Sequence, residues 1–142
     1  VMSTKKVTTG EFVGYGTSFL AQTDLDIAIV PIGYANGFTR SLSNTGRAIV
    51  NHKRVSVIGT VNMNCIALDV TGCNVKKGDE VILIGQQGEL EISVASFGEL
   101  STQLNYELLT RLPQDIPRVV VRHAEEDVTY PPVHTPQELS RE

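Results

Sequence analysis

Short runs rich in Val, Ile and Thr, broken every few residues by Gly or Asn, fill this chain as far as about Ile92. That pattern restricts it to a mainly β fold. β-branched side chains suit a pleated surface, and Gly and Asn supply the turn conformations that join strands. The runs predict strands near residues 11–20, 25–32, 47–50, 54–61, 65–70, 79–84 and 117–122, forming a β-sandwich or a small β-barrel-like domain. IAIVPIG, Ile27 to Gly33, is apolar on both alternating faces, which marks a central strand with Pro31 at a bulge or at its end. RAIV-NHK-RVSVIG reads as a hairpin turning at Asn51, and KKGDE and GQQGELEI as further turns.

The period changes after Ile92. Ser93 is placed to cap a helix running to Leu100, since its hydroxyl can accept a backbone N–H left unpaired at a helix start. Leu104, Leu108 and Leu112, with Leu109 beside them, give a second short helix one apolar stripe, and Pro113 stops it. Two short helices are therefore expected near residues 93–112. IPRVVVRH predicts a strand returning to the sheet. The β domain spans 1–123, and from Ala124 the composition turns acidic and proline-rich, predicting an irregular tail over 124–142.

With 142 residues, 41% of them apolar and 20% charged, the chain has the composition of one globular domain with its own core. A net charge of −4 supplies no basic footprint for nucleic acid, and the longest apolar runs are too short to span a bilayer. Neither nucleic acid nor membrane is an expected partner. Two cysteines, Cys65 and Cys73, build no disulfide framework and read as reduced thiols of a cytosolic protein. His52, His123 and His134 are scattered, so no metal site is expected.

Four places stand out from the β pattern. In EFVGYGTSF, Glu11 to Phe19, Tyr15 sits between Gly14 and Gly16. Glycines weaken a strand and mark the close approach of another backbone or a ligand, yet Tyr15 shares a strand face with Val13, Thr17 and Phe19, as a core tyrosine would. Tyr34 lies in PIGYANGF, where two glycines make a tight excursion after a strand. Tyr106 opens the second helix in LNYELL, with Asn105 a candidate cap. In GTVNMNC the residues Asn62, Met63 and Asn64 interrupt a β run, as a plain turn would, or a bulge that turns a backbone N–H toward a ligand.

Taken in order, VGYGTSF, VPIGYANGFTRSLSN, GTVNMNCIALDVT, GDEVILIG, LNYELLTRL and IPRVVVR closely resemble the C-terminal domain of alanine racemases. Family members commonly read PVGYADGxxR, GRVCMDQ and TINYE at these places. The resemblance implies a barrel-like β domain that follows an N-terminal (β/α)₈ barrel carrying pyridoxal phosphate on a lysine. It implies a cytoplasmic bacterial homodimer that interconverts L-alanine and D-alanine for peptidoglycan. Tyr15 matches the tyrosine that serves one face of the substrate in the partner subunit, the cofactor lysine serving the other. Met63 matches the position whose backbone N–H meets the substrate carboxylate. Tyr106 matches the tyrosine that hydrogen-bonds the cofactor phosphate, and Tyr34 and Arg40 match the pair at the substrate entrance.

Some residues depart from that pattern. Asn36 and Asn64 stand where aspartates are usual, and Thr60 where many members have arginine, which removes charge near the entrance. The stretch from VMST to VTTGE is several residues shorter than usual at about Thr4 and Lys5, through a deleted loop or residues absent from this chain. No lysine here matches the cofactor lysine, so the chain alone is expected to be inactive. An exposed apolar patch around Tyr15 and Met63 is expected where the missing domains would pack. The alternatives are a non-catalytic β-barrel interaction module and a domain of a serine or broad-specificity racemase.

Overall fold

The computed structural model describes residues 1–101 and 105–120. Their strands are β1 (Ser3–Val7), β2 (Phe12–Val13), β3 (Phe19–Leu20), β4 (Leu25–Val30), β5 (Arg47–Val50), β6 (Lys53–Ile58), β7 (Ile66–Asp69), β8 (Val81–Ile82), β9 (Gly85–Gln87) and β10 (Leu90–Ile92), followed by helices α1 (Val94–Ser101) and α2 (Asn105–Arg111). Six strands make one curled half-barrel sheet in the order β1-β4-β7-β6-β5-β8, every neighbouring pair antiparallel.

Two apolar layers explain why β4 is apolar on both faces. Ala28 and Val30 point into the main core with Phe38, Leu42, Val57, Leu68 and Phe97. Ile27 points the other way, into a smaller cluster with Val7, Val13, Ala21 and Ile58. A central strand covered on both sides needs apolar residues at every position, because successive side chains alternate between faces. Pro31 falls just after β4, where its missing N–H costs no ladder bond. β5 and β6 close through a two-residue turn with Val50 opposite Lys53. Asn51 and His52 there take φ of +47° and +58°, the left-handed pair that matches strand twist.

The main core also fixes the loops that follow β4. Phe38 meets Phe97 of α1 edge to face, with ring centroids 5.6 Å apart, and Leu42 is fully enclosed. Full burial of such side chains stabilises by roughly 1.5–3 kcal/mol each. The loop over residues 33–45 is therefore held to the core from below. Ser93 Oγ accepts the Ser96 N–H at 3.1 Å, as expected of the cap of α1.

Several expectations need correction. Residues 11–20 are no single strand. Gly14, Gly16 and Thr17 take φ of +86°, +71° and +54°, so the chain reverses and β2 pairs with β3 as a short hairpin. Tyr15 lies at its tip and is no core tyrosine. The polar run around Lys5 and Lys6, for which no strand was expected, is edge strand β1, with Thr4 and Lys5 opposite Ala28 and Ile27 and both lysines exposed. GQQGELEI is more than a turn, since it holds the hairpin β9–β10. Residues 117–120 form no strand. The Arg118 guanidinium instead donates to the carbonyls of Pro113, Gln114 and Ile116, and Val119 and Val120 are 82% and 91% exposed. Leu108 is buried, but Leu109 is exposed and Leu112 marginally so, so the stripe on α2 is narrower than its leucines suggested. Asn105 belongs to the described part of α2, and its side chain lies outside what is described. Leu104, the last two residues of the expected 117–122 strand, His123 and the tail over 124–142 lie outside the described residues.

Two exposed carboxylates clamp the base of the β2–β3 hairpin. Asp24 accepts the N–H and the hydroxyl of Thr9, each at 2.9 Å, and Glu11 accepts the Thr8 N–H at 2.7 Å. These bonds favour the ionised forms and hold both carboxyls below their ordinary range. A carboxyl depressed in the folded state contributes stability that is complete above its unfolded value and is lost as pH falls through the folded one. The melting temperature should therefore fall as pH drops below about 4, and Asp24→Asn should flatten that fall. Equal slopes in the parent and the variant would contradict the clamp.

Candidate functional site

β6 outruns its sheet. Beyond the Ile58–Ala67 pair, the consecutive amides of Gly59, Thr60 and Val61 are bonded by side chains. Gly59 N–H donates to Asn44 Oδ1 at 2.6 Å, Thr60 N–H to Ser18 Oγ at 2.9 Å and Val61 N–H to Ser43 Oγ at 2.9 Å. Buried or half-buried backbone donors need such partners, and short Ser and Asn side chains supply them with little entropy loss. Each acceptor is itself tied onward. Ser43 Oγ donates to the Arg40 carbonyl at 2.6 Å, and Ser18 Oγ donates to the Val13 carbonyl at 3.4 Å. Two distant chain segments are thereby registered on one stretch of backbone.

The next residues turn away from β6. Asn62 N–H reaches the Cys65 carbonyl at 3.1 Å, which closes the bend carrying Met63. Against this bend lies the loop after β4, through Tyr34 N–H to Asn62 O and Ala35 N–H to Met63 O, both at 3.0 Å. Gly33 makes that contact possible, since a Cβ there would stand 2.0 Å from the Asn62 oxygen. Asn36 caps the same loop, its Oδ1 accepting the Gly33 N–H at 3.1 Å. An asparagine in place of the family's usual aspartate can still fill that acceptor role.

These contacts bring Tyr15, Tyr34, Arg40 and Met63 together with Thr60, Val61 and Asn62 around one open cleft of about 260 Å³. Tyr34 and Arg40 also face an adjoining hollow of about 460 Å³, lined in addition by Gly37, Thr39 and Arg111. Tyr15 is 80% exposed and Met63 53%, with Phe12 and Leu20 of the hairpin also exposed. Thr60 Oγ1 donates to the Tyr15 carbonyl at 3.4 Å, tying the backbone beneath the exposed phenol. The Met63 amide hydrogen-bonds to none of the described residues. Tyr106 does not share the cleft; it is 83% exposed in the first turn of α2. Four of the five expected residues are thus assembled, and Asn44, Ser43 and Ser18 were missed. Their signal is faint, two adjacent polar residues in SLSN and a serine after Thr17, because side-chain bonds over 15 to 42 residues leave no periodic trace.

The family model described as "Alanine racemase, C-terminal domain" matches residues 1–120. This chain belongs to that family. It is 39% identical over 115 residues to the alanine racemase of Halothermothrix orenii, covering 80% of this chain and 30% of that protein. It is 40% identical over 114 residues to alanine racemase 2 of Bacillus subtilis, covering 80% and 29%. The crystal structure of alanine racemase from Bacillus anthracis with bound L-Ala-P superposes with a TM-score of 0.81 at 35% identity, over 88% of this chain and 32% of that one. Alanine racemase from Bartonella henselae with covalently bound pyridoxal phosphate gives 0.77 at 29% identity, over 85% and 33%. The chain spans about a third of the length of the alanine racemases it matches.

The close approach at Gly33 carries a prediction. A methyl group there overlaps backbone oxygens that cannot swing aside, so Gly33→Ala should destabilise the domain by about 1–3 kcal/mol. Denaturant unfolding measures this, and an unchanged midpoint would contradict the locked pair of loops.

Proposed function

We propose that this domain forms the C-terminal part of a pyridoxal-phosphate-dependent alanine racemase and lends its cleft to the active site of a partner subunit. The observation that carries the reading is the assembly of Tyr15, Tyr34, Arg40 and Met63 on one exposed cleft of a domain from this family. Such a cleft is half a site, with a phenol and a backbone donor turned outward. Its residues fit the cofactor and its substrate in donor chemistry, since the Met63 amide suits a carboxylate and the exposed Tyr106 hydroxyl suits a phosphate oxygen. Pyridoxal phosphate, when bound on the barrel domain, supplies the electron sink that lets an amino-acid Cα lose its proton.

Racemisation needs one group on each face of Cα, one to remove the proton and one to return it. Tyr15 Oη serves one face, taking the proton as phenolate and giving it as phenol in the reverse direction. A tyrosine does this near neutrality only where cations or hydrogen bonds favour its phenolate, and the barrel domain would supply them. The Met63 N–H holds the substrate carboxylate. Tyr34 and Arg40 line the approach. Tyr106 hydrogen-bonds the cofactor phosphate from the second helix. The substrates are L-alanine and D-alanine, and the product D-alanine would enter peptidoglycan in the bacterial cytoplasm.

In the full-length enzyme, Tyr15→Phe keeps the ring and removes the hydroxyl. A positioned acid/base group is worth roughly 10²–10⁴-fold in rate, so racemisation should fall by that order in both directions. Near-normal racemisation by this variant would overturn the assignment. The chain without a barrel domain should racemise neither enantiomer.

A further inference from the structure

Tyr15 stands on a hairpin too small to position it. β2 and β3 share only two ladder pairs, Phe12 with Leu20 and Val13 with Phe19, and three residues at the tip have positive φ. A two-stranded ribbon of this length has little stability of its own. The tip must therefore be held from outside the ribbon.

Thr60 holds it at two points, its N–H donating to Ser18 Oγ and its hydroxyl to the Tyr15 carbonyl, and Asn44 adds a side-chain bridge to the neighbouring residue of β6's extension. Asn44 Oδ1 accepts the Gly59 N–H at 2.6 Å, while its Nδ2 donates to the Ser18 carbonyl at 3.1 Å, three residues after Tyr15. Its own N–H donates to the Gly59 carbonyl at 3.2 Å. A single side chain thus joins the hairpin to the end of β6 and, through its neighbour Ser43, to the Arg40 turn. We infer that Asn44 is a positioning residue, setting the reach of the Tyr15 phenol by clamping the hairpin to Gly59. This inference rests on the acid/base reading of Tyr15.

A bland role competes with this one. Asn44 has φ of +59°, and asparagine is tolerated there in any turn. A turn former would need no side-chain bond to residues 15 and 26 positions away, and Asn44 makes both. The residue is exposed, so its replacement leaves no core cavity.

The two roles separate in the full-length holoenzyme. Asn44→Asp tolerates the left-handed turn and keeps an acceptor for Gly59, but sets an oxygen against the Ser18 carbonyl in place of the donor. A displacement of about 1 Å in a reacting group can cost on the order of 10²-fold. The expected result is a kcat/KM about tenfold lower or worse, with a changed isotope signature. The Cα-deuterium isotope effect on kcat/KM should rise for the enantiomer whose proton Tyr15 removes, and should not rise for the other, because only the Tyr15 transfer has been slowed. Loss of folded enzyme alone moves neither ratio. Asn44→Gly, which keeps the backbone conformation and drops both side-chain bonds, should show the same asymmetry and serves if Asn44→Asp does not fold. A rise for both enantiomers, or for neither, would overturn the clamp. Tyr15→Phe run in parallel distinguishes the failures: if it racemises normally, the acid/base reading falls first.

Discussion

The backbone donors that β6 carries past the edge of its sheet organise everything on the functional side of this domain. Gly59, Thr60 and Val61 have no strand to answer them, and three side chains from two distant segments do so instead. Leaving such donors unpaired would cost on the order of 1–3 kcal/mol each. Satisfying them brings the hairpin and the Arg40 turn to one place, with the Met63 bend following directly in sequence. The cleft is thus a by-product of hydrogen-bond completion, and its residues need no mutual contact to be held in register.

The same logic accounts for the exposure of the key side chains. Tyr15, Met63 and Tyr34 contribute nothing to either apolar layer of this domain. The backbone beneath them is well tied, through Thr60 to Tyr15, Asn62 to Tyr34 and Met63 to Ala35. Side chains that are free while their backbone is fixed suit a site completed by another surface, because less ordering remains for the moment of association. The alanine racemases that this chain matches extend well beyond the segment shared with it, and under the proposed function that further length supplies the completing surface.

Much of the fold was legible because its elements depend on local chemistry. The doubly apolar IAIV announced a covered central strand, Asn51 the tight turn, and Ser93 the start of α1. Edge strand β1 was not legible, since it joins the sheet through backbone bonds while Lys5 and Lys6 face water. The tip of the hairpin was misread because Tyr15 alternates correctly with Val13 and Phe19 in sequence, while three positive φ angles break that alternation in space. Arg118, Val119 and Val120 have strand propensity, but propensity forms no strand where, among the described residues, no sheet edge meets them. For the site, motif resemblance located Tyr15, Tyr34, Arg40 and Met63, yet said nothing of Asn44, Ser43 or Ser18, whose partners lie far off in the chain.

The central claim is that this domain serves a site on a different subunit, and mixing two inactive full-length variants tests it most directly. One carries Tyr15→Phe; the other lacks the lysine that holds the cofactor in the proposed full-length enzyme. If Tyr15 acts across the dimer, subunit exchange yields heterodimers in which one of the two sites has both groups intact, and racemisation returns. If heterodimers form and activity stays absent, Tyr15 does not serve the partner's site and the account is wrong.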